Sequence, residues 1–299
     1  MKVLLTGSGG QVGKSILSVK DIFTCLNIVG YTFKELDITS EEVVLDVFSK
    51  ELPDIVINAA AYTAVDKAEN EPEKAYEVNA KGAMILAMNC ERLKIPLLHI
   101  STDYVFDGNA GGYKKEDKPN PINVYGASKL AGEISAVKHC SRVVVVRTSW
   151  VFSEFNNNFL KTIVRLSREK SEINVVSDQV GCPTSARHIA LVLLRMADSY
   201  AKGFDIGYGI YHFSGTPYLS WYQFAEYIVS SAEKILINFT KPVIKKVSSE
   251  DYRTAARRPK DSRLLTSKEL SIYYDTFYWF DEVDRVIHEL KNNETKENI

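Results

Sequence analysis

Cysteine is scarce in this chain, and so is any arrangement of it that could staple or ligate. Cys25, Cys90, Cys140 and Cys182 lie tens of residues apart with no C-x-x-C pair, which argues against a disulfide framework or zinc site and is consistent with free thiols in a reducing cytoplasm. His99, His139, His188, His212 and His288 are scattered with no carboxylate or cysteine partner at ligand spacing, so no metal is assigned to them. An excess of one charge is missing as well. Lys and Arg number 37 against 38 Asp and Glu, a net charge of −1 that leaves no global field for nucleic acid or an anionic membrane. No apolar run approaches the roughly 20 residues a membrane span needs, and the one after Met1-Lys2 is too short for a signal sequence. The reading is a cytoplasmic protein with no nucleic-acid or membrane partner. There is no internal repeat or low-complexity linker, and the polar run 291–299 is expected to fray.

What is present is an ordinary globular composition, 45% hydrophobic and 25% charged. Short runs rich in leucine or β-branched residues recur at Val3–Leu5, Ile28–Val29, Ile55–Ile57, Leu97–Ile100 and Val143–Val146, with amphipathic stretches at Glu41–Lys50, Glu73–Leu93 and Val124–Val137 between them. Strand and helix alternating in this way predict an α/β fold, a doubly wound parallel sheet of Rossmann type, and nearly unbroken apolar strands suit burial on both faces. Beyond Arg147 the pattern loosens, with loop-like segments at 153–158, 177–185 and 214–220. Residues 1–150 therefore read as a nucleotide-binding domain. Residues 151–299 read as a smaller, interleaved substrate-binding portion, some of whose segments return to the first.

The first strand runs straight into Gly7-Ser8-Gly9-Gly10-Gln11-Val12-Gly13 and then a helical stretch, Lys14 to Lys20. Gly7, Gly10 and Gly13 keep a G-x-x-G-x-x-G spacing, in which missing side chains let backbone N–H groups and a helix N-terminus approach a pyrophosphate. A glycine cluster alone is more often a plain turn, but its place between strand and helix favours a dinucleotide.

Of sixteen tyrosines only Tyr125 has a lysine four residues on, Lys129. That spacing puts phenol and ammonium on one helix face, where a fixed positive charge favours phenolate and brings the group into range for proton transfer. By spacing alone the better bet is a surface pair. The strand Leu97–Ile100 ends in Ser101-Thr102-Asp103, and ligands of doubly wound sheets bind at strand carboxyl ends. Thr102 is thus placed to hydrogen-bond a carbonyl oxygen beside Tyr125, against the alternative of a strand-end threonine satisfying its own backbone.

With these residues in place the chain resembles the dTDP-4-dehydrorhamnose reductase family of the extended short-chain dehydrogenase/reductase superfamily over nearly its whole length. The resemblance is carried by Thr6-Gly7 to Gly13, Asn58 to Glu69, Ser101 to Gly108, Tyr125 to Lys129, Arg147 to Trp150, Asp178 to Thr184 and Arg258-Pro259. It implies reduction of a 4-keto sugar on a nucleoside diphosphate, with hydride from a nicotinamide and the proton from Tyr125. It also implies Gln11 and Val12 on the cofactor pyrophosphate, Asp37 and Ile38 on adenine, Ala61, Tyr62 and Thr63 along the cofactor, and Thr102, Asp103 and Trp150 at the sugar. Arg253, Arg257, Arg258, Lys260 and Arg263 form the strongest basic cluster. Arg258, which also matches the family, is the best single candidate for the substrate pyrophosphate, because an arginine fork binds phosphate oxygens in pairs.

Some members of that family dimerise through magnesium held by glutamates, one of them two residues past the third glycine. Ser15 stands there, which argues against magnesium and leaves a homodimer of another kind open. Val29-Gly30-Tyr31 offers no acid to a ribose 2′-hydroxyl and Lys34 suits a 2′-phosphate, so NADPH is favoured over NADH although Glu35 and Asp37 lie near. A related dehydratase would add a glutamate after Asp103, where Tyr104 stands. An epimerase would hold its oxidised cofactor tightly. A non-catalytic NADP-binding regulatory subunit, like the β-subunit of methionine adenosyltransferase that the family also resembles, would not need Thr102, Tyr125 and Lys129 together.

Overall fold

Runs that are apolar on both faces can be buried only between two layers, and this decides the architecture. In the computed structural model, which describes residues 1–237, 239–274 and 278–297, six strands form one parallel sheet: β1 (Lys2–Thr6), β2 (Asn27–Tyr31), β3 (Ile55–Asn58), β4 (Leu97–Thr102), β5 (Val143–Thr148) and β6 (Gly209–His212). Their order is β6-β5-β4-β3-β1-β2. Leu5 pairs with Gly30 on one side and Ile57 on the other, so the chain reverses its winding at β1 and opens a crevice beyond the ends of β1 and β3.

The long helices are α1 (Gln11–Val19), α2 (Glu41–Glu51), α3 (Ala83–Leu93), α4 (Val124–His139), α5 (Phe159–Glu169), α6 (Ala186–Ala201), α7 (Trp221–Ile235) and α8 (Trp279–Glu297). Ile16 and Val19 of α1 share one face of the sheet with Ile189, Leu193 and Met196 of α6. The other face is covered by Val44 and Phe48 of α2, Ile85 and Leu86 of α3 and Ala136 of α4. A second core gathers Leu160 and Ile163 from α5, Phe224 and Ile228 from α7 and Val283 and Ile287 from α8, beside a parallel strand pair, Glu172–Val176 with Val243–Val247. Residues from the later half, β6 and α6, thus complete the first layer system.

The stretch expected as one helix from Glu73 is helical throughout but not uniform. It starts as Pro72–Tyr76, widens to a π-helical turn at Glu77–Gly82 and only then continues as α3. The loop expected over 177–185 contains two short strands, Val180–Gly181 and Thr184–Ser185. Helix α8 carries helical backbone into the terminal run, whose last two residues lie outside the described residues. No helix among the described residues is long and apolar enough to cross a membrane.

Candidate functional site

At the carboxyl ends of the strands a cleft of about 480 Å³ is lined by Gly10, Gln11 and Val12, by Ala59 to Ala61 and Thr63, by Ile100 to Tyr104, by Tyr125 and Lys129, and by Thr148 to Val151. Gly7 makes its floor possible. Its φ is +69°, and an added Cβ would stand 2.5 Å from the Ala60 nitrogen, so no other residue fits between the two strand ends. Helix α1 then begins at Gly10 with no side-chain cap, leaving first-turn N–H groups to face the cleft. That is the donor set a pyrophosphate needs, and the site fits a dinucleotide on this ground.

The Gln11 side chain is committed elsewhere. Its Oε1 accepts from Ser153 Oγ at 2.8 Å and Asn158 Nδ2 at 2.9 Å, tying α1 to the loop before α5. Tyr62 donates its backbone N–H to Asn79 Oδ1 at 2.8 Å while Asn79 Nδ2 reaches back to the Tyr62 carbonyl at 3.1 Å, so Asn79, on the π-helical turn, sets the 61–63 segment that borders the cleft. Asp37 accepts from Thr39 N–H and hydroxyl at 2.9 and 2.8 Å. Ile38 is buried against Gly82 and packed with the second sheet face. Neither lines the main cleft. Beyond β2, Glu35 is turned back onto Thr32 (N–H 2.9 Å, hydroxyl 2.7 Å), while Lys34 stays exposed.

Tyr125 and Lys129 lie on α4, which Asn123 caps by accepting from the Gly126 N–H at 2.7 Å. The helix sits so close to the turn after β4 that a Cβ on Gly126 would be 2.1 Å from the Tyr104 carbonyl oxygen. Lys129 is buried, and its Nζ donates to the Ile100 carbonyl at 2.6 Å. The charge relation differs from the one the spacing suggests. Protein packed around the Tyr125 phenol pushes it up to about 12, against a hydrogen bond from Thr102, instead of the ammonium drawing it down. Burial and the nearby Asp103 carboxyl set the shift, and the ammonium, docked on the Ile100 carbonyl, does not offset them. A phenol shifted this way holds its proton at neutral pH, the state a proton donor requires.

Thr102 ends β4 and reaches Asp103 Oδ1 at 3.1 Å. Asp103 is 2% exposed, and burial pushes its carboxyl up to about 7 in spite of hydrogen bonds from Ser262 and Thr102. Trp150 adopts a left-handed φ of +46° and is held between Gly181 and Trp221, whose ring stacks on it at 3.5 Å and 6°. Trp221 also borders a second cavity of about 270 Å³, shared with Phe159, Tyr252 and Arg258.

Arg258 is not free in this structure. Its Nη1 and Nη2 grip Asp66 at 3.1 and 2.6 Å. Arg263 is held by Asp261 in the same manner, Nη2 to Oδ2 at 2.6 Å, so these two members of the basic cluster are tied into separate ion pairs. Thr102, Asp103, Tyr125, Lys129 and Trp150 converge on one cleft with the glycine turn, and Arg258 lines the adjoining cavity. Sequence reasoning missed Trp221, Asn79 and the pairing of Asp66. Trp221 had a signal, since it opens a helix behind the capping box Ser220–Gln223.

The family model described as the RmlD substrate binding domain matches residues 1–292. A dTDP-4-dehydrorhamnose reductase of Aggregatibacter actinomycetemcomitans is 42% identical over 270 residues, 89% of this chain and 91% of that protein. The enzyme of the same name from Escherichia coli K12 is 36% identical, with 90% of each chain covered. Among solved structures, dTDP-4-dehydrorhamnose reductase from Bacillus anthracis in complex with NADP superimposes with a TM-score of 0.86 at 36% identity, covering 96% of this chain and 99% of that one.

Proposed function

This chain belongs to the RmlD substrate-binding-domain family, and from that premise we infer that it is an NADPH-dependent oxidoreductase that reduces the keto group of a nucleotide-linked 4-keto-6-deoxy sugar, dTDP-4-dehydrorhamnose to dTDP-rhamnose. The observation that carries the reading is one cleft wall holding Thr102, Tyr125 and Lys129 opposite the uncapped N-terminus of α1. NADPH bound there supplies the hydride for C4. The residues of this chain do the rest. Tyr125, its proton retained by its crowded setting, gives that proton to the carbonyl oxygen as it gains charge. Thr102 donates to the same oxygen, and Asp103 borders the sugar end of the cleft. Lys129 keeps a positive charge beneath the phenol and within reach of the cofactor ribose.

The nucleotide half lies in the second cavity, where Phe159, Trp221 and Tyr252 offer rings for a base and Arg258 offers a fork to the pyrophosphate. Residues 1–150 carry the cofactor and most of 151–299 the substrate. The exposure of Lys34 supports NADPH over NADH. The four cysteines are free thiols, which supports a cytoplasmic setting. For a homodimer the support is the exposure of three apolar side chains on α3 and α4, Met88, Ile134 and Val137.

The test is a panel of dTDP- and other nucleotide-linked 4-keto-6-deoxy sugars incubated with NADPH or NADH, following the loss of reduced-nicotinamide absorbance. Stoichiometric consumption with the dTDP sugar is expected. Retention of tightly bound oxidised cofactor with no net consumption would make the chain an epimerase. NADPH binding without turnover of any sugar would make it a regulatory subunit.

A further inference from the structure

Beneath the cleft lies a buried ionic network that the chemistry described so far does not use. Glu133, one helical turn beyond Lys129 on α4, and Arg147 on β5 are 1% and 2% exposed. Arg147 grips both carboxylate oxygens, Nε to Oε1 at 3.0 Å and Nη2 to Oε2 at 2.7 Å. The Ser101 hydroxyl donates to the same carboxylate. Ser101 is the residue next to Ile100, whose carbonyl receives the Lys129 ammonium at 2.6 Å. Lysine and glutamate are thus docked on consecutive residues of β4, as i and i+4 of a single helix face.

We propose that Glu133 is a positioning residue for the reductase chemistry, a buried anion that keeps Lys129 aimed at the cleft and positively charged at working pH. The proposal rests on the reading of Lys129 given above and adds what sustains its charge.

Charge bookkeeping around the ammonium favours this. From its own helix it faces Tyr125, whose phenol is neutral, and Glu133. From β4 it faces the Ile100 carbonyl and His99, which burial and Lys129 itself keep neutral. From the turn after β4 comes Asp103, held near 7. Behind Glu133 stand Arg147 on β5 and His212 on β6, the latter pulled down to about 4 by burial and by Arg147. Glu133, clasped by Arg147 and Ser101 one helical turn from Lys129, is therefore the counter-charge to the ammonium within this group. Burial lowers Lys129 to about 8, and the Glu133 carboxylate acts against that fall. Without it, two cations would share a dry site and the lysine would be the one to release its proton, since a guanidinium does not.

The measurement that reads this directly uses the apoprotein. In protein labelled with 13C-lysine, the Lys129 side-chain resonance, assigned by its disappearance in Lys129→Met, is titrated in wild type and in Glu133→Gln. We expect the midpoint to fall by about one pH unit or more in Glu133→Gln, and Glu133→Asp, which keeps the charge, to return it most of the way. In turnover the basic limb of the kcat profile moves to lower pH by the same interval. Breaking a buried pair can unfold a protein, so Glu133→Gln/Arg147→Met, which removes both charges, is the second variant. In that double variant the ammonium loses the carboxylate one turn away and also the more distant guanidinium behind it, so its midpoint is expected between those of Glu133→Gln and wild type. A midpoint that does not fall in Glu133→Gln, or that in the double variant lies at or above the wild-type value, overturns the proposal. A wild type inactive toward every nucleotide-sugar, with the midpoint shift intact, would sink the reductase reading instead.

Discussion

If Arg258 holds the substrate pyrophosphate as proposed, Asp66 competes with it for the same guanidinium, and two substitutions on either side of that contact should move substrate affinity in opposite directions. Arg258 is 20% exposed and clasps Asp66, 46% exposed, with Nη2 to Oδ2 at 2.6 Å. Arg258→Ala removes a charge-assisted contact of roughly 1.5–3 kcal/mol to the pyrophosphate, which is about a ten- to hundredfold rise in KM for the nucleotide-sugar at about 1.4 kcal/mol per tenfold. Asp66→Asn leaves the fork in place and removes its rival. A half-exposed pair is worth at most about 1 kcal/mol, so KM should fall by no more than about fivefold, with the sharpest effect at low salt. Initial rates are followed by reduced-nicotinamide absorbance with each ligand varied in turn, and KM for NADPH should stay within a few-fold in both variants. Both variants raising KM for both ligands alike would refute the reasoning and make the pair a structural strut between the helix at Val65–Ala68 and the C-terminal loop.

Tyr125→Phe should lower kcat by about 10²–10⁴ with NADPH affinity kept within a few-fold by equilibrium titration; wild-type turnover would make Tyr125 a structural helix residue. Asp103→Asn tests the carboxyl that burial holds near 7. An acid harder to ionise folded than unfolded loses stability as pH rises from its unfolded value near 3.9 to its folded value, so the asparagine variant should gain Tm, by a few degrees more at about pH 8 than at about pH 5. Equal gains at both would mean that the carboxyl is not strained by burial. Ser15 is 1% exposed, a closed-off hydroxyl where metal-bridged relatives carry a glutamate, so EDTA should leave initial rate and elution volume unchanged. A loss restored by added magnesium would defeat that inference.

Where the chemistry is local, the sequence discloses it. The glycine turn, the i,i+4 pair and the strand-end threonine depend on neighbours within a few residues, and the structure places all three on one cleft. The α/β alternation was legible for the same reason, since burial on two faces leaves continuous apolar strands. Contacts spanning large separations were not. Asp66 and Arg258 meet across 192 residues and the Glu133–Arg147 pair joins a helix to a strand; nothing near any of the four advertises its partner. The direction of the shift on Tyr125 was missed because spacing says which charges are near and not how dry the surroundings are. The π-helical turn at Glu77–Gly82 was hidden by a periodicity that reads as plain helix, although it aims Asn79 at Tyr62.

The return of the chain to β6 has a consequence for how the protein comes into being. Val144 to Arg147 pair with Gly209 to His212, so while the ribosome is still making α5 and α6 the flank of β5 has no neighbour, and Ile189, Leu193 and Met196 have not arrived to cover the sheet. The emerging first half carries a bare row of amide and carbonyl groups beside an uncovered apolar face, the combination that recruits other chains. Cofactor affinity cannot protect it at this stage, because the sheet that spaces the strand ends is unfinished. Synthesis past Ala201 and Gly209 is thus the step that covers this apolar face and shifts the open sheet edge from β5 out to the short strand β6.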